Sequence, residues 1–283
     1  MEPEKKNVVL VATDFTHAGD NATDNAAVLT RAINGKLVLL HVINNQTEKI
    51  LKKSNKGPDY IDTKLKEITD HLKRKHAIET DCVAEKGSIF SAIPKVAKEK
   101  EAMYLFFGTH GKKGIQYLIG SYALKVIKGS PAPVFVVQKP AGDVDFKNII
   151  YPLDAELGSK QKVKWAINMY KGAGSQFHIF IYNPNEQETR QKLKADLRQV
   201  TKIMEHHKVP YTISYAQPKG NFGRQLINFA KEKNADAMMI STDPENLIWN
   251  PFGTIDEMVI YNKEKIPVMC INVKDLNRVI GGP

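Results

Sequence analysis

"NVVLVATD", residues Asn7–Asp14, sets the uninterrupted apolar stretch Val8–Ala12 between an asparagine and the pair Thr13-Asp14. A short continuous run of that kind, bounded by polar residues, reads as a strand covered on both faces. The chain writes it again as "NIIYPLD", Asn148–Asp154, also closing on aspartate. Behind each run come a polar turn and a helical pattern. Ala22, Ala26, Leu29 and Ile33 share one helix face in the first copy, and Val163, Ala166, Ile167 and Tyr170 take that role in the second.

The correspondence continues outward. "KLVLLHVI" (Lys36–Ile43) answers to "QFHIFIYN" (Gln176–Asn183) as a second strand, and long charged helices follow around Asp62–His76 and Glu188–His207. "ETDCVAEKG" (Glu79–Gly87) answers to "YTISYAQPKG" (Tyr211–Gly220), each strand closing on a glycine. The next helices, "SIFSAIPKVAKEKEA" and "NFGRQLINFAKEKNA", share "AKEK" at the same place, and "APVFVVQ" (Ala132–Gln138) answers to "IPVMCIN" (Ile266–Asn272). Between the copies, "KPAGDVDF" (Lys139–Phe146) reads as a linker from its proline and glycine. Strands alternating with helices predict a parallel sheet with helices on both faces, wound right-handed. The predicted fold class is α/β: two tandem doubly wound, Rossmann-like or flavodoxin-like domains over residues 1–140 and 141–283, each with a five-stranded parallel sheet.

Composition narrows the function classes. A hydrophobic share of 42% with 25% charged residues is that of an ordinary globular protein. "MEPEKKNVVLVATDF" offers no long apolar segment of the secretory kind, and no run nears the roughly 20 residues that span a bilayer, so a cytoplasmic protein without membrane contact is expected. Cys82 and Cys270 lie far apart in apolar runs without metal-ligand spacing, and both are expected as buried free thiols. The net charge of +10 favours anionic partners. No basic run interleaves with aromatics, so specific nucleic-acid binding is not expected.

"GTHGKKGIQYLIGS", Gly108–Ser121, places four glycines in fourteen residues between the apolar run "MYLFF" and a helical pattern. Glycine there signals a positive φ or a close approach to the backbone. In a doubly wound sheet ligands bind beyond the carboxyl ends of the strands, where Asp14 and Gly108 both fall. Successive backbone N–H groups at a helix start make an anion site, so a phosphate is one candidate for the approach. Glycines that merely shape turns are the other.

This segment, together with "VATDF" and "LLHVI", resembles the universal stress protein family across essentially the whole chain, as a tandem two-domain member. The family's nucleotide-binding branch carries G-x2-G-x9-G-[ST]. Here eight residues, Lys112 to Ile119, separate Gly111 from Gly120, one fewer than that pattern. The resemblance implies that Ala12, Thr13 and Asp14 line a nucleoside pocket, with Asp14 on the ribose or base and Val42 packed on adenine. It implies that Phe107, Gly108, Thr109 and Gly111, with Gly120, Ser121 and Tyr122, surround ribose and phosphates. The ligand implied is ATP or another adenine nucleotide, with or without Mg²⁺.

Aligned on the first copy, the second has Ser241 for Gly108, Thr242 for Thr109, Asp243 for His110 and Pro244 for Gly111, while Gly253 and Thr254 keep the places of Gly120 and Ser121. Pro244 has no N–H to give, and Asp243 would repel a phosphate. A degenerate phosphate loop is expected there. Trp249 and Phe252 put aromatic surface in that loop, either for a protein partner or for packing on their own domain.

An enzyme needs groups that do chemistry. His17, His41, His110 and Asp14 are the candidates, and His41 alternates inward on a buried strand as a core histidine would. No Walker motif, Ser-His-Asp arrangement or metal-spaced cluster stands out, so no catalytic or metal residues are assigned. The expectation is an adenine-nucleotide-binding regulatory module in stress response, acting through the first domain and an unknown protein partner. A nucleotide-free scaffold or chaperone-like protein is the alternative, and a weak ATPase the third. In the family the fifth strands pair domains, which implies an intrachain pseudo-dimer through "PVFVVQ" and "PVMCIN", with a homodimer of the whole chain as a further option.

Overall fold

The computed structural model describes residues 6–57, 59–109, 119–155, 160, 162–242 and 255–272. The chain divides into two compact units, Met1–Asp143 and Val144–Pro283.

The first unit runs β1 (Val8–Ala12), α1 (His17–Ala32), β2 (Lys36–Ile43), α2 (Asn45–Lys53), α3 (Tyr60–His76), β3 (Glu79–Lys86), α4 (Ile89–Glu99), β4 (Ala102–Gly108), α5 (Ile119–Gly129) and β5 (Val134–Val137). Its strands lie in the order β3-β2-β1-β4-β5, and every pairing is parallel. α1 packs with α3, and α4 with α5, so the helices form a layer on each face. β1 and β2 are buried throughout their middles, which is why both read as continuous apolar runs rather than alternating ones.

The second unit repeats this with β6 (Asn148–Leu153), α6 (Val163–Ala173), β7 (Gln176–Ile181), α7 (Gln187–His206), β8 (Tyr211–Tyr215), α8 (Phe222–Glu232), β9 (Ala237–Thr242), α9 (Ile255–Ile260) and β10 (Val268–Asn272). Its order is β8-β7-β6-β9-β10, parallel throughout. α6 packs with α7, and α8 with α9.

Local chemistry sets the element ends. Thr16 caps α1 by accepting from the Gly19 N–H, and Gly87 and Gly220 both take positive φ beyond their strands. The predicted apolar face of α1 is buried, with Ala22, Ala26 and Leu29 fully so.

Three details differ from the sequence expectation. Helix α2 was not expected, because "NQTEKILKK" is strongly polar; the Asn44 side chain starts it by accepting from the N–H groups of Gln46 and Thr47. On α6 Tyr170 is only half-buried, and its neighbour Met169 takes the inward place. Cys270 is buried, but Cys82 is half-buried because β3 is an edge strand.

Candidate functional site

In the first sheet the strand order reverses between β1 and β4, and the ligand crevice of such a sheet lies beyond their carboxyl ends. Ala12 closes β1 between Leu40 and Phe107. The Thr13 N–H donates to the Leu40 carbonyl at 2.8 Å, and the Thr109 N–H donates to the Val137 carbonyl at 2.8 Å. The structure therefore brings Ala12, Thr13, Asp14, Phe107, Gly108 and Thr109 to one end of the sheet, with Val42 at the same end of β2. Thr13, Val42 and Thr109 are buried, Phe107 and Gly108 half-buried, and Asp14 exposed.

A Cβ on Gly108 would lie 1.9 Å from the carbonyl oxygen of Ala18 in the first turn of α1. Two backbones meet there, and only glycine lets them. Gly19 is tight in the same place, its notional Cβ 2.8 Å from the Thr13 hydroxyl. The close approach that the glycine signals is met by the protein's own helix, which by itself accounts for Gly108.

That approach is possible because the β1–α1 turn is short. Asp14 Oδ1 accepts from the Thr16 N–H at 3.0 Å and from the Thr16 hydroxyl at 2.5 Å, folding the chain straight into the helix. Asp14 Oδ2 accepts no hydrogen bond among the described residues. Between them Phe15 takes a φ of +60°, a conformation that strains a bulky side chain. The turn lays the Phe15 ring on the His41 imidazole, centroids 4.4 Å apart and planes 17° from parallel, with Lys64 Nζ 4.8 Å from the Phe15 centroid.

His41 is a core histidine with both nitrogens engaged. Nδ1 lies 2.8 Å from the Thr13 carbonyl oxygen and Nε2 3.1 Å from the Thr47 hydroxyl. Burial lowers its pKa, outweighing the Thr13 carbonyl and the Asp14 charge, which raise it. With Nδ1–H donating to Thr13, the neutral ring braces the turn and has no nitrogen left for a substrate.

Gly120, Ser121 and Tyr122 fall in the first turns of α5, while His110, Gly111, Lys112 and Lys113 lie outside the described residues. Among the described residues no cluster of three or more His, Cys, Asp or Glu is placed to hold a metal, and no helix is long and apolar enough to cross a membrane.

The corresponding end of the second sheet is built differently. β1 and β4 pair through to Ala12 and Phe107, but the β6–β9 ladder is registered only at Ile149 and Ile150. Pro152 interrupts it, because its missing N–H falls on the side of β6 that faces β9. The Pro152 carbonyl instead accepts from Lys162 Nζ at 2.6 Å, and that ammonium also lies 4.7 Å from the Tyr151 ring centroid. Lys162 is 1% exposed. It stands just before α6, which begins ten residues after β6 ends, where α1 begins five after β1. Pro152, Asp154, Lys162, Phe222, Ile240 and Ser241 line a small cleft there, open on one side.

Sequence reasoning placed the Asp14 and Asp154 turns and missed Phe15, Gly19 and Lys162. Gly19 had a signal, a glycine one turn into a helix opposite another glycine. Lys162 had none, since a lysine before a helix is ordinary; the proline in "NIIYPLD" was the readable part. Asp243, Pro244, Trp249, Phe252, Gly253 and Thr254 lie outside the described residues.

Residues 6–138 match the model of the universal stress protein family. A Staphylococcus aureus (strain USA300) relative that carries the universal stress protein name is 25% identical over 149 residues, 49% of this chain and 88% of its own. A universal stress protein from Archaeoglobus fulgidus shares the fold at a TM-score of 0.75 and 16% identity, covering 95% of this chain and all of its own. A universal stress protein solved in complex with cAMP is 24% identical, covering 48% of this chain and 99% of its own, with a TM-score of 0.36.

Proposed function

We propose that the first unit, whose residues 6–138 match the model of the universal stress protein family, binds an adenine nucleotide, ATP in the first instance, as a regulatory module in stress response. The observation that carries the proposal is the short β1–α1 turn. It holds the exposed Asp14 carboxylate by one oxygen and leaves the other to accept a ribose or base donor. Buried Val42 and half-buried Ala12 and Phe107 offer an apolar floor beside it. Thr13 and Thr109 are already engaged through their backbone N–H groups, so their part is to fix the floor. Gly108 serves by letting α1 come close, and a phosphate grip would fall to Gly111, Gly120 and Ser121, with Tyr122 beside them.

The same reading makes the second unit a structural one. Its crevice holds its own cation, Lys162, bonded to the Pro152 carbonyl. A cytoplasmic setting and an unidentified protein partner complete the proposal.

Calorimetric titration of ATP, with and without Mg²⁺, into the full chain tests it. Saturable binding is expected, lost in Gly111→Pro, which copies the second unit's residue, and weakened in Asp14→Ala by about tenfold for one lost charge-assisted hydrogen bond. Absence of binding to the folded wild-type chain would leave the glycines as packing and turn residues and bring the nucleotide-free scaffold forward.

A further inference from the structure

We propose that strand β8 is a self-pairing surface through which two copies of this chain associate about a two-fold axis at Ile213. β8 forms an edge of the second sheet, bonded on one side to β7. The Phe177 N–H donates to the Pro210 carbonyl and the Ala216 N–H to the Ile181 carbonyl. In a parallel ladder these bonds turn the even-numbered residues of β8 toward β7, so the backbone N–H and C=O of Tyr211, Ile213 and Tyr215 point outward.

The strand reads "YTISY", chemically the same in both directions. Antiparallel pairing of two copies about Ile213 sets Tyr211 opposite Tyr215, Thr212 opposite Ser214 and Ile213 opposite itself. The outward residues then meet as hydrogen-bonded pairs, each exchanging two backbone bonds. Aromatic with aromatic and hydroxyl with hydroxyl are favourable cross-strand neighbours, and β8 has no charge to oppose its own copy. The symmetry closes the assembly at two chains. A different partner would draw no advantage from a palindrome; only a second copy does.

Exposure agrees. Among the described residues the large apolar side chains left exposed are Ile203, Ile213 at 42% and Tyr215 at 58%, two of them on this strand. The matching edge of the first unit is defended. On β3 Glu79 is paired with Lys6 and Lys36, and Asp81 with Lys36 and Lys100. The same pairing about Cys82, the central outward-facing residue there, would set Glu79 against Glu85, like charge on like charge. Charges on an edge strand are the usual guard against such pairing, and β8 lacks them. The ladder is short, so the association belongs to the weak interface class.

Cysteine cross-linking of the full chain, in a Cys82→Ser background, reads the register. The two-fold places the Ile213 Cα atoms about 5.5 Å apart, within disulfide reach. Under mild oxidation Ile213→Cys is expected to form a disulfide dimer at least tenfold faster than Thr212→Cys or Ser214→Cys alone, while a mixture of the latter two cross-links with each other. Equal rates for all three overturn the proposal. Sedimentation at rising concentration is the second arm: the wild-type chain is expected to dimerise, and Ile213→Lys, which sets two ammonium groups face to face, to stay monomeric. A wild-type chain that remains monomeric, or a dimer that survives Ile213→Lys, overturns it and leaves the edge to an extended peptide of another protein.

Discussion

The two crevices of this molecule begin from the same plan and end as opposites. Both lie where a five-stranded parallel sheet reverses its strand order, and both carry an aspartate just past the central strand. In the first unit the aspartate folds the chain at once into α1, whose first turn presses its backbone on Gly108. In the second, Pro152 releases β6 from β9, the chain takes a longer path to α6, and Lys162 enters the opening. A candidate ligand site and a crevice entered by a lysine differ here by one proline, one lysine and one turn length.

The largest expected effect breaks the comparison at its glycine. Gly108→Ala drives a Cβ into the Ala18 carbonyl and should destabilise the first unit by about 3 kcal/mol or more, or about 10 °C in its melting temperature. The corresponding change in the second unit, Ser241→Gly, should cost less than about 1 kcal/mol, as expected of a glycine within a strand. Calorimetric scans of the two variants would show it, and a loss in Gly108→Ala no larger than that in Ser241→Gly would mean that α1 does not press on Gly108.

A smaller effect probes the plug. Lys162→Met keeps the side chain's length but removes the donor from the buried Pro152 carbonyl, which should cost the second unit about 2 kcal/mol. Chemical denaturation followed at Trp165, on α6, is the natural readout. An unchanged midpoint would show that the ammonium contributes nothing there.

The smallest effect is a pH dependence. Burial holds the pKa of His41, and likewise of His76, below the ordinary 6.5. The unfolded chain takes up protons as pH falls through about 6.5 while the folded first unit resists. Stability contributed by the neutral rings is therefore complete above that pH and lost progressively below it. His41→Gln should flatten the decline in melting temperature between pH 7.5 and 5. A decline of the same slope in that variant would assign the effect elsewhere.

These contrasts show what was legible in the sequence. The fold was, because the strands at the centre of each sheet are covered on both faces and so are written as plain apolar runs. β2 was readable to the residue, Lys36–Ile43, since Gly35 and Asn44 bracket it. The ends of the sheet, where the candidate site lies, were legible only in part. Gly108 announced a close approach, but no local pattern could name α1 as the body approaching it. Phe15 adopts its strained φ because Asp14, Thr16 and His41 fix both sides of the turn, a tertiary cause. Lys162 is buried only because Pro152 opens the ladder some ten residues earlier, and the two are neighbours in space alone.

The most direct test counts ligands. Native mass spectrometry of the full chain with ATP should show one nucleotide per chain at saturation, and none in Gly111→Pro. Two nucleotides per chain would contradict the account, since the second crevice would then have to release Lys162 and reopen.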